Sequence, residues 1–394
     1  MGRSCFRYHQ SGTRSDAAAT SRHWNLRIVK IVHLVDNMEI GGAEKLIAML
    51  CQWQREQGHD PSVRCLYRIG LLGEQLRKDG FEVALADPSG SGRFDKIYFG
   101  LRKLKPDVLH CHNATATILG SAPARFAGVQ SIIATRHGIV APPHHLRREL
   151  KFSLASRCCD WIVAVCDQAR SNLMAAPFAA RAKIVRIYNA VRGLSSAASP
   201  RMMKSGFTLV NVARLNWAKD QETLLRAFAC AKSRVPDLQL WIVGDGDLRC
   251  RLEGLSRELG LSGSVTFFGE QQDVSPFLQG ADLFVLSSVT EGVPISLLEA
   301  LQASLPAVVT NVGGIAEVTR LSEAILSVPP SNPEALAAAI EKMARSRGEL
   351  PQLGKMARSC YLRNFAFDRM ASEYMALYAI NGAVPVHIPS MRSA

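Results

Sequence analysis

Glu291-Gly-Val-Pro-Ile-Ser-Leu-Leu-Glu299, preceded by Ala281-Asp-Leu-Phe-Val-Leu-Ser-Ser288, reads as a buried strand running into a helix. The first run has the length and bulk of a parallel strand, and Ile295 to Ala303 carries its apolar residues at helical spacing. Pro294 stands at the junction, where the amide hydrogen it lacks would have no partner in the first helical turn. The helix is therefore expected to begin near Ile295, with free backbone donors and a positive dipole end at the strand's carboxyl edge, which suits a phosphate. Glu291 and Glu299 flank that tip, and two carboxylates make sense there if each accepts hydrogen bonds from sugar hydroxyls. The plain alternative is a helix start enriched in Glu for the sake of its own dipole.

The same strand, turn and helix recur on either side. Leu26 to Val35 is a strand, and Met38-Glu-Ile-Gly-Gly-Ala-Glu44 is a glycine turn opening a helix from about Ala43 to Gln57. Gly41 and Gly42 allow a ligand to approach the backbone closely, although they do not complete a dinucleotide fingerprint. Further strands are expected at Ser62–Leu66, Phe81–Leu85, Pro106–His112, Ser131–Gly138, Asp160–Val165 and Ile184–Tyr188. His110, His112 and His137 fall near the carboxyl ends of two of them, where ligands gather in open parallel sheets. Each can equally be a satisfied structural histidine; His137 has room beside it because Gly138 follows.

Beyond the small, polar stretch Gly193–Pro200, which reads as a linker, a second alternating series starts at Phe207. Arg214 and Lys219 bracket a strand-to-helix turn and can neutralise both charges of a diphosphate, or simply be surface cations. Asp245 and Asp247 form an Asp-x-Asp pair, but hard-cation sites need more oxygen ligands than this stretch supplies, so no metal site is expected. Tyr361 to Tyr378 is expected to be one amphipathic helix.

At 394 residues, with 47% hydrophobic and 21% charged, the chain has room for two globular domains. No apolar run reaches the roughly 18 residues of a membrane span. Residues 1–25 are expected to be a disordered extension. The ten cysteines lack zinc-like spacing and fit a reducing, cytoplasmic setting. A net charge of +13 calls for an anionic partner, yet no nucleic-acid-binding module is recognisable. The basic helix His144–Cys159, with Leu146, Leu150, Leu154 and Phe152 near one stripe and Arg147, Arg148 and Lys151 outside, suits either a solvated face or peripheral contact with an anionic membrane surface.

Taken in order, Gly41-Gly-Ala-Glu44, Thr135-Arg-His-Gly138, Arg214 with Lys219, Gly244-Asp-Gly246, Glu291 with Glu299, and Asn311-Val-Gly-Gly314 resemble the retaining, nucleotide-sugar-dependent glycosyltransferases of the GT-B fold, GT4 type. The resemblance runs from about Leu26 to Tyr378. It implies an α/β protein of two Rossmann-like, doubly wound domains facing across a cleft. Residues 26–195 would form the acceptor side, 201–360 would hold the donor, and a closing helix (361–380) would cross back.

By that similarity the donor is a nucleoside-diphosphate sugar and no cofactor or metal is needed. Glu299 would hold the ribose, Arg214 and Lys219 the diphosphate, Glu291 the sugar hydroxyls, and His137 the sugar near the reacting carbon. Backbone donors at Ile295 and Ser296 would reach the phosphate, with Gly41 and Gly42 closing over it, and Asp245, Gly246 and Gln271 would border the nucleotide. The acceptor would be a glycan or a lipid-linked sugar. Two positions depart from the family pattern. Asp220 stands where glycine is usual and is expected to add negative charge near the diphosphate, and Tyr188-Asn-Ala190 replaces Pro-Asn-Gly at the hinge. A nucleotide-sugar epimerase on the same scaffold and a non-catalytic sugar-nucleotide-binding module are the competing readings.

Overall fold

The alternating apolar runs build two parallel sheets. The computed structural model describes residues 27–87, 93–138, 146–193 and 206–378. The first sheet contains β1 (Lys30–Asn37), β2 (Asp60–Arg68), β3 (Glu82–Leu85), β4 (Val108–His112), β5 (Ser131–Arg136), β6 (Trp161–Ala164) and β7 (Ile184–Arg186), in the order β3-β2-β1-β4-β5-β6-β7. The second contains β8 (Phe207–Val212), β9 (Leu238–Val243), β10 (Val265–Gly269), β11 (Leu283–Leu286), β12 (Ala307–Thr310) and β13 (Ile325–Val328), in the order β10-β9-β8-β11-β12-β13. Every pairing between these strands is parallel. Central strands such as β4 and β11 are buried along their whole length, as strands covered by helices on both faces must be.

In each sheet the strand order reverses once, between β1 and β4 and between β8 and β11. Such a reversal opens a crevice at the carboxyl ends of the strands. The two crevices face each other. The helix Gly42–Glu56 follows β1 and the helix Ile295–Gln302 follows β11. Their first turns approach so closely that a Cβ on Gly42 would lie 3.2 Å from Ile295 Cγ1.

A single apolar cluster runs from the first sheet (Ile31, Ile133) through Val293 and Ile295 to the second (Phe284, Leu286). Polar bonds fix the two halves further. The Glu317 carboxylate accepts from the amides of Asp167 and Gln168 and from the Tyr188 hydroxyl, each at 2.9 Å. Asn189 Nδ2 donates to the Val293 carbonyl at 2.9 Å, and Tyr361 Oη to that of Val191 at 2.7 Å. The Tyr188-Asn-Ala190 departure thus sits where the halves are stitched together.

The closing segment differs from expectation. It is two helices, Leu350–Asn364 and Phe367–Tyr378, because Phe365 leaves the helical region (φ −129°) to bury its ring, and Ala366 bridges to Val191. The second helix returns to the first sheet. Tyr378 Oη lies 2.6 Å from His110 Nδ1, Tyr374 Oη 3.3 Å from Thr135 Oγ1, and Trp53 Nε1 donates to Asp368 at 2.8 Å. The basic helix Leu146–Ala155 also differs: Phe152 is buried, whereas Leu150 and Leu154 are 44% and 64% exposed. At about 100° per residue Phe152 lies roughly 200° around from Leu150, so the expected stripe divides between two faces.

The proposed extension 1–25, the linker from 194 onward, His144, His145 and the last two residues of the closing segment lie outside the described residues. No helix among the described residues is long and apolar enough to cross a membrane.

Tyr378, 1% exposed, anchors the returning helix. Tyr378→Ala is expected to cost about 3–5 kcal/mol, the range for emptying a large aromatic site. Urea unfolding followed by tryptophan fluorescence measures this, and a loss below about 1 kcal/mol would show that the helix is not part of the first domain's core.

Candidate active site

Neither facing helix start carries a side-chain cap: Gly41 and Pro294 occupy the cap positions. The first-turn amides and the positive dipole ends therefore point into the cleft from both sides. Between them is a cavity of ≈ 380 Å³ lined by Gly41, Gly42, His137, Arg214, Lys219, Asp245, Gln271, Glu291, Ile295, Ser296 and Glu299. Residues more than 250 positions apart in the chain thus share one space.

Gly246 is the exception. It is not among the lining residues; a Cβ there would collide with the Leu215 carbonyl, and its amide donates to Asp245 Oδ1 at 2.8 Å. It is a turn residue. Asp245 itself holds Arg249 at 2.6 Å, so its carboxylate is already engaged at the rim.

The cationic loop is more tightly organised than its spacing reveals. Lys219 Nζ is paired with Glu291 Oε1, and Ser288 Oγ donates to the same oxygen at 2.9 Å. The two groups expected to take diphosphate and sugar therefore neutralise each other across 72 residues of sequence in the free protein. Arg214 Nη2 reaches over the cleft to the Ile40 carbonyl at 3.2 Å, tying the second domain's loop to the first domain's glycine turn. Asp220 does not line the cavity, contrary to expectation. With φ +47° it caps the helix Gln221–Arg234, and its carboxylate accepts from the Thr223 amide at 3.3 Å and Thr223 Oγ1 at 2.8 Å. The left-handed backbone explains why glycine suits this place, and the capping bonds explain why Asp is tolerated.

At the far end, His137 donates its amide to Asn113 Oδ1 at 3.1 Å, and its Nε2 lies 3.0 Å from His112 Nδ1. Its Nδ1 is buried without a protein partner. Gly292 packs directly on its carbonyl: a Cβ would come to 2.8 Å from that oxygen, and Gly314 in turn packs on the Gly292 carbonyl. The Glu291-Gly and Asn311-Val-Gly-Gly stretches thus seat His137 from the opposite domain. Burial pulls the His137 pKa down to about 4, with the neighbouring Arg136 adding to the effect, so the ring is neutral at physiological pH.

Five further polar residues line the cavity that spacing alone did not single out: Glu44, Lys45, Asn189, Asn216 and Glu270. Glu44 and Lys45 directly follow the glycine turn, which was the available signal. Burial raises the Glu44 pKa, opposed in part by Arg214. Burial likewise raises the Glu299 pKa, with Lys45 opposing. The cleft therefore offers cations and amides at its centre and desolvated carboxylates at its ends, complementary to an anion flanked by hydroxyl groups.

The comparisons with known proteins agree with this geometry. Family models match as Glycosyltransferase Family 4 over residues 40–192 and as Glycosyl transferases group 1 over residues 198–359. A phosphatidylinositol N-acetylglucosaminyltransferase polypeptide of Arabidopsis thaliana is 30% identical over 321 residues, covering 77% of this chain and 71% of that protein. UDP-Gal:alpha-D-GlcNAc-diphosphoundecaprenol alpha-1,3-galactosyltransferase of Escherichia coli is 27% identical over 237 residues, 55% of this chain and 61% of that one. The crystal structure of Anabaena Alr3699/HepE in complex with UDP and glucose shares the fold, with a TM-score of 0.76 at 17% identity over 88% of this chain and 98% of that one. The matched stretches span about half the length of the first curated relatives, 45% and 61%.

Because the Glu299 pKa is raised in the folded state, its contribution to stability is complete below the unfolded value, roughly 4.3, and is lost as pH rises through the folded one. Glu299→Gln is therefore expected to raise the melting temperature of the ligand-free protein at pH 8, with the gain shrinking toward pH 5. The same change should weaken binding of a nucleoside diphosphate about 10- to 100-fold through loss of charged hydrogen bonds. Calorimetry at the two pH values checks both; a variant less stable at pH 8 would contradict the burial argument.

Proposed function

The chain belongs to the group 1 glycosyltransferases, and from that premise we propose that it is a retaining, metal-independent transferase moving a hexose from a nucleoside-diphosphate sugar to a glycan or lipid-linked acceptor. The observation that carries this reading is the convergence of two uncapped helix starts, Arg214 and Lys219 on one cavity that ends in Glu299 and His137. A dianionic diphosphate fits the centre. Glu299 would accept from the ribose hydroxyls, and Val243, Val274 and Gln271 would border the base.

In the reaction the bond from the anomeric carbon to the diphosphate oxygen breaks as the bond to the acceptor oxygen forms on the same face. The acceptor's proton passes to the departing phosphate oxygen. Positive charge grows on the sugar and negative charge on the leaving group, so the main assistance is electrostatic and fixed in advance by Arg214, Lys219 and the amides of Ile295 and Ser296. The Lys219–Glu291 pair suits this exchange: the arriving phosphate takes over the ammonium, and Glu291 turns to the sugar hydroxyls. His137 would lie beside the reacting carbon.

The E. coli relative acts on a diphosphoundecaprenol-linked sugar, and the Anabaena structure holds UDP and glucose, which makes uridine donors and a polyprenyl-diphosphate acceptor the first to try, in polysaccharide or glycolipid synthesis. Exposed Leu150 and Leu154 beside Arg147, Arg148 and Lys151 support peripheral contact with the cytoplasmic face of an anionic membrane.

The test is a panel of UDP- and GDP-sugars offered with and without polyprenyl-diphosphate-linked sugars. Release of nucleoside diphosphate that requires the acceptor, with the anomeric configuration kept in the product, is expected. Lys219→Ala should lower kcat/KM about 100- to 1,000-fold, as loss of one leaving-group contact does. Conversion of the donor without acceptor would favour the epimerase, and nucleotide binding without turnover would favour a binding module.

A further inference from the structure

Behind the cavity a file of imidazoles runs into the first domain. His137 Nε2 lies 3.0 Å from His112 Nδ1, His112 Nε2 lies 3.0 Å from His33 Nδ1, and His33 Nε2 lies 2.9 Å from Gln54 Oε1. Successive rings are tilted by only 17° and 27°. His33, His112 and Gln54 are buried from solvent. Of the three rings His137 is the one that reaches the cavity, and its Nδ1 has no partner within the protein.

A neutral imidazole carries one N–H and one lone pair, and a carbonyl oxygen only accepts. Gln54 Oε1 thus places the proton of His33 on Nε2 and leaves a lone pair on its Nδ1. That lone pair requires the proton of His112 on Nε2, and the lone pair left on His112 Nδ1 requires the proton of His137 on Nε2. What remains at the cavity is the lone pair of His137 Nδ1. With every ring neutral there is only one other consistent arrangement, in which the Gln54 amide is reversed and every joint with it, so that His137 Nδ1 would be a donor.

We propose that Gln54, His33 and His112 are positioning residues that fix the tautomer of His137, so that its Nδ1 meets the donor sugar as a hydrogen-bond acceptor for a hydroxyl. This rests on the reading of the cleft as a sugar-nucleotide site. Burial keeps the rings uncharged, holding His33 and His137 near 4 and His112 well below its ordinary value. A charged ring would carry two N–H groups and break the alternation at one joint.

The ring nitrogens of His33, His110 and His112 also lie within 4.8 Å of one another, near enough for a metal. However, His33 and His112 spend the nitrogens that meet on each other, and both His110 nitrogens are held, by Tyr378 at 2.6 Å and by Thr135 at 2.7 Å. A metal would have to displace those bonds, so the file accounts better for the contacts.

The test uses the full chain, deuterated and labelled with nitrogen-15 at histidine. Long-range proton–nitrogen correlation distinguishes a protonated from a lone-pair ring nitrogen, and His137→Gln identifies the His137 signals. In the wild type, His137 is expected to be protonated at Nε2 with a lone pair at Nδ1. Gln54→Leu or His112→Phe should move His137 to the other tautomer or to an average of the two. Turnover of the donor identified by the sugar panel should then fall about tenfold, with its KM changed less than about threefold.

A wild-type His137 protonated at Nδ1 overturns the proposal. So does a tautomer unmoved by both variants, or one that moves while turnover stays the same. If Gln54→Leu does not fold, the wild-type spectrum and His112→Phe still decide. A protein that binds no nucleotide sugar sinks the cleft reading instead, and the spectrum of the free protein keeps the two failures apart.

Discussion

The architecture depends on bringing two helix starts within side-chain distance of each other without capping either. Uncapped amides are costly to bury and cheap to leave facing water or an anion. Gly42–Glu56 and Ile295–Gln302 meet this constraint by pointing at one cavity from opposite sheets, each placed by a reversal of strand order. The absence of a side chain at Gly42, against Ile295, allows the approach, and the apolar cluster shared by both halves holds it.

Around that centre, several strong ions are already partnered in the free protein. Lys219 is held by Glu291, Arg214 by a carbonyl of the opposite turn, and Asp245 by Arg249. Glu44 and Glu299 carry the burden instead: both are pushed toward the neutral form by burial. Such carboxylates gain most from hydroxyl donors, which satisfy their oxygens without bringing a competing cation. Arg214 serves twice, since its tie to Ile40 closes the cleft over the same space in which it would meet a diphosphate.

Much of this was legible in the sequence, because strand-to-helix turns leave local signatures. Pro294 marked the start of its helix to the residue, and the glycine pair marked the other. What stayed hidden depends on contacts between distant residues or on backbone conformation. The Lys219–Glu291 pair joins two turns that spacing cannot relate. Asp220 looked like a charge near the diphosphate, and only its left-handed φ shows it to be a helix cap. Phe152 seemed to share a stripe with Leu150 and Leu154, yet it faces inward while they face out. Phe365 broke an amphipathic pattern that looked continuous, because its ring buries in the interface beneath Tyr188, with ring centroids 5.6 Å apart. His110 and His112 were visible as strand-end histidines, but their division of labour was not: one locks the closing helix and the other backs His137.

The central claim is that one cavity between the sheets receives a diphosphate at paired helix starts. A crystal structure of the protein soaked with UDP measures this directly. The account predicts diphosphate oxygens within hydrogen-bond distance of the Ile295 or Ser296 amides and of Arg214 and Lys219, with Lys219 released from Glu291. UDP seated elsewhere, for example in the groove between Arg320 and Arg363, with the Lys219–Glu291 pair intact, would contradict it.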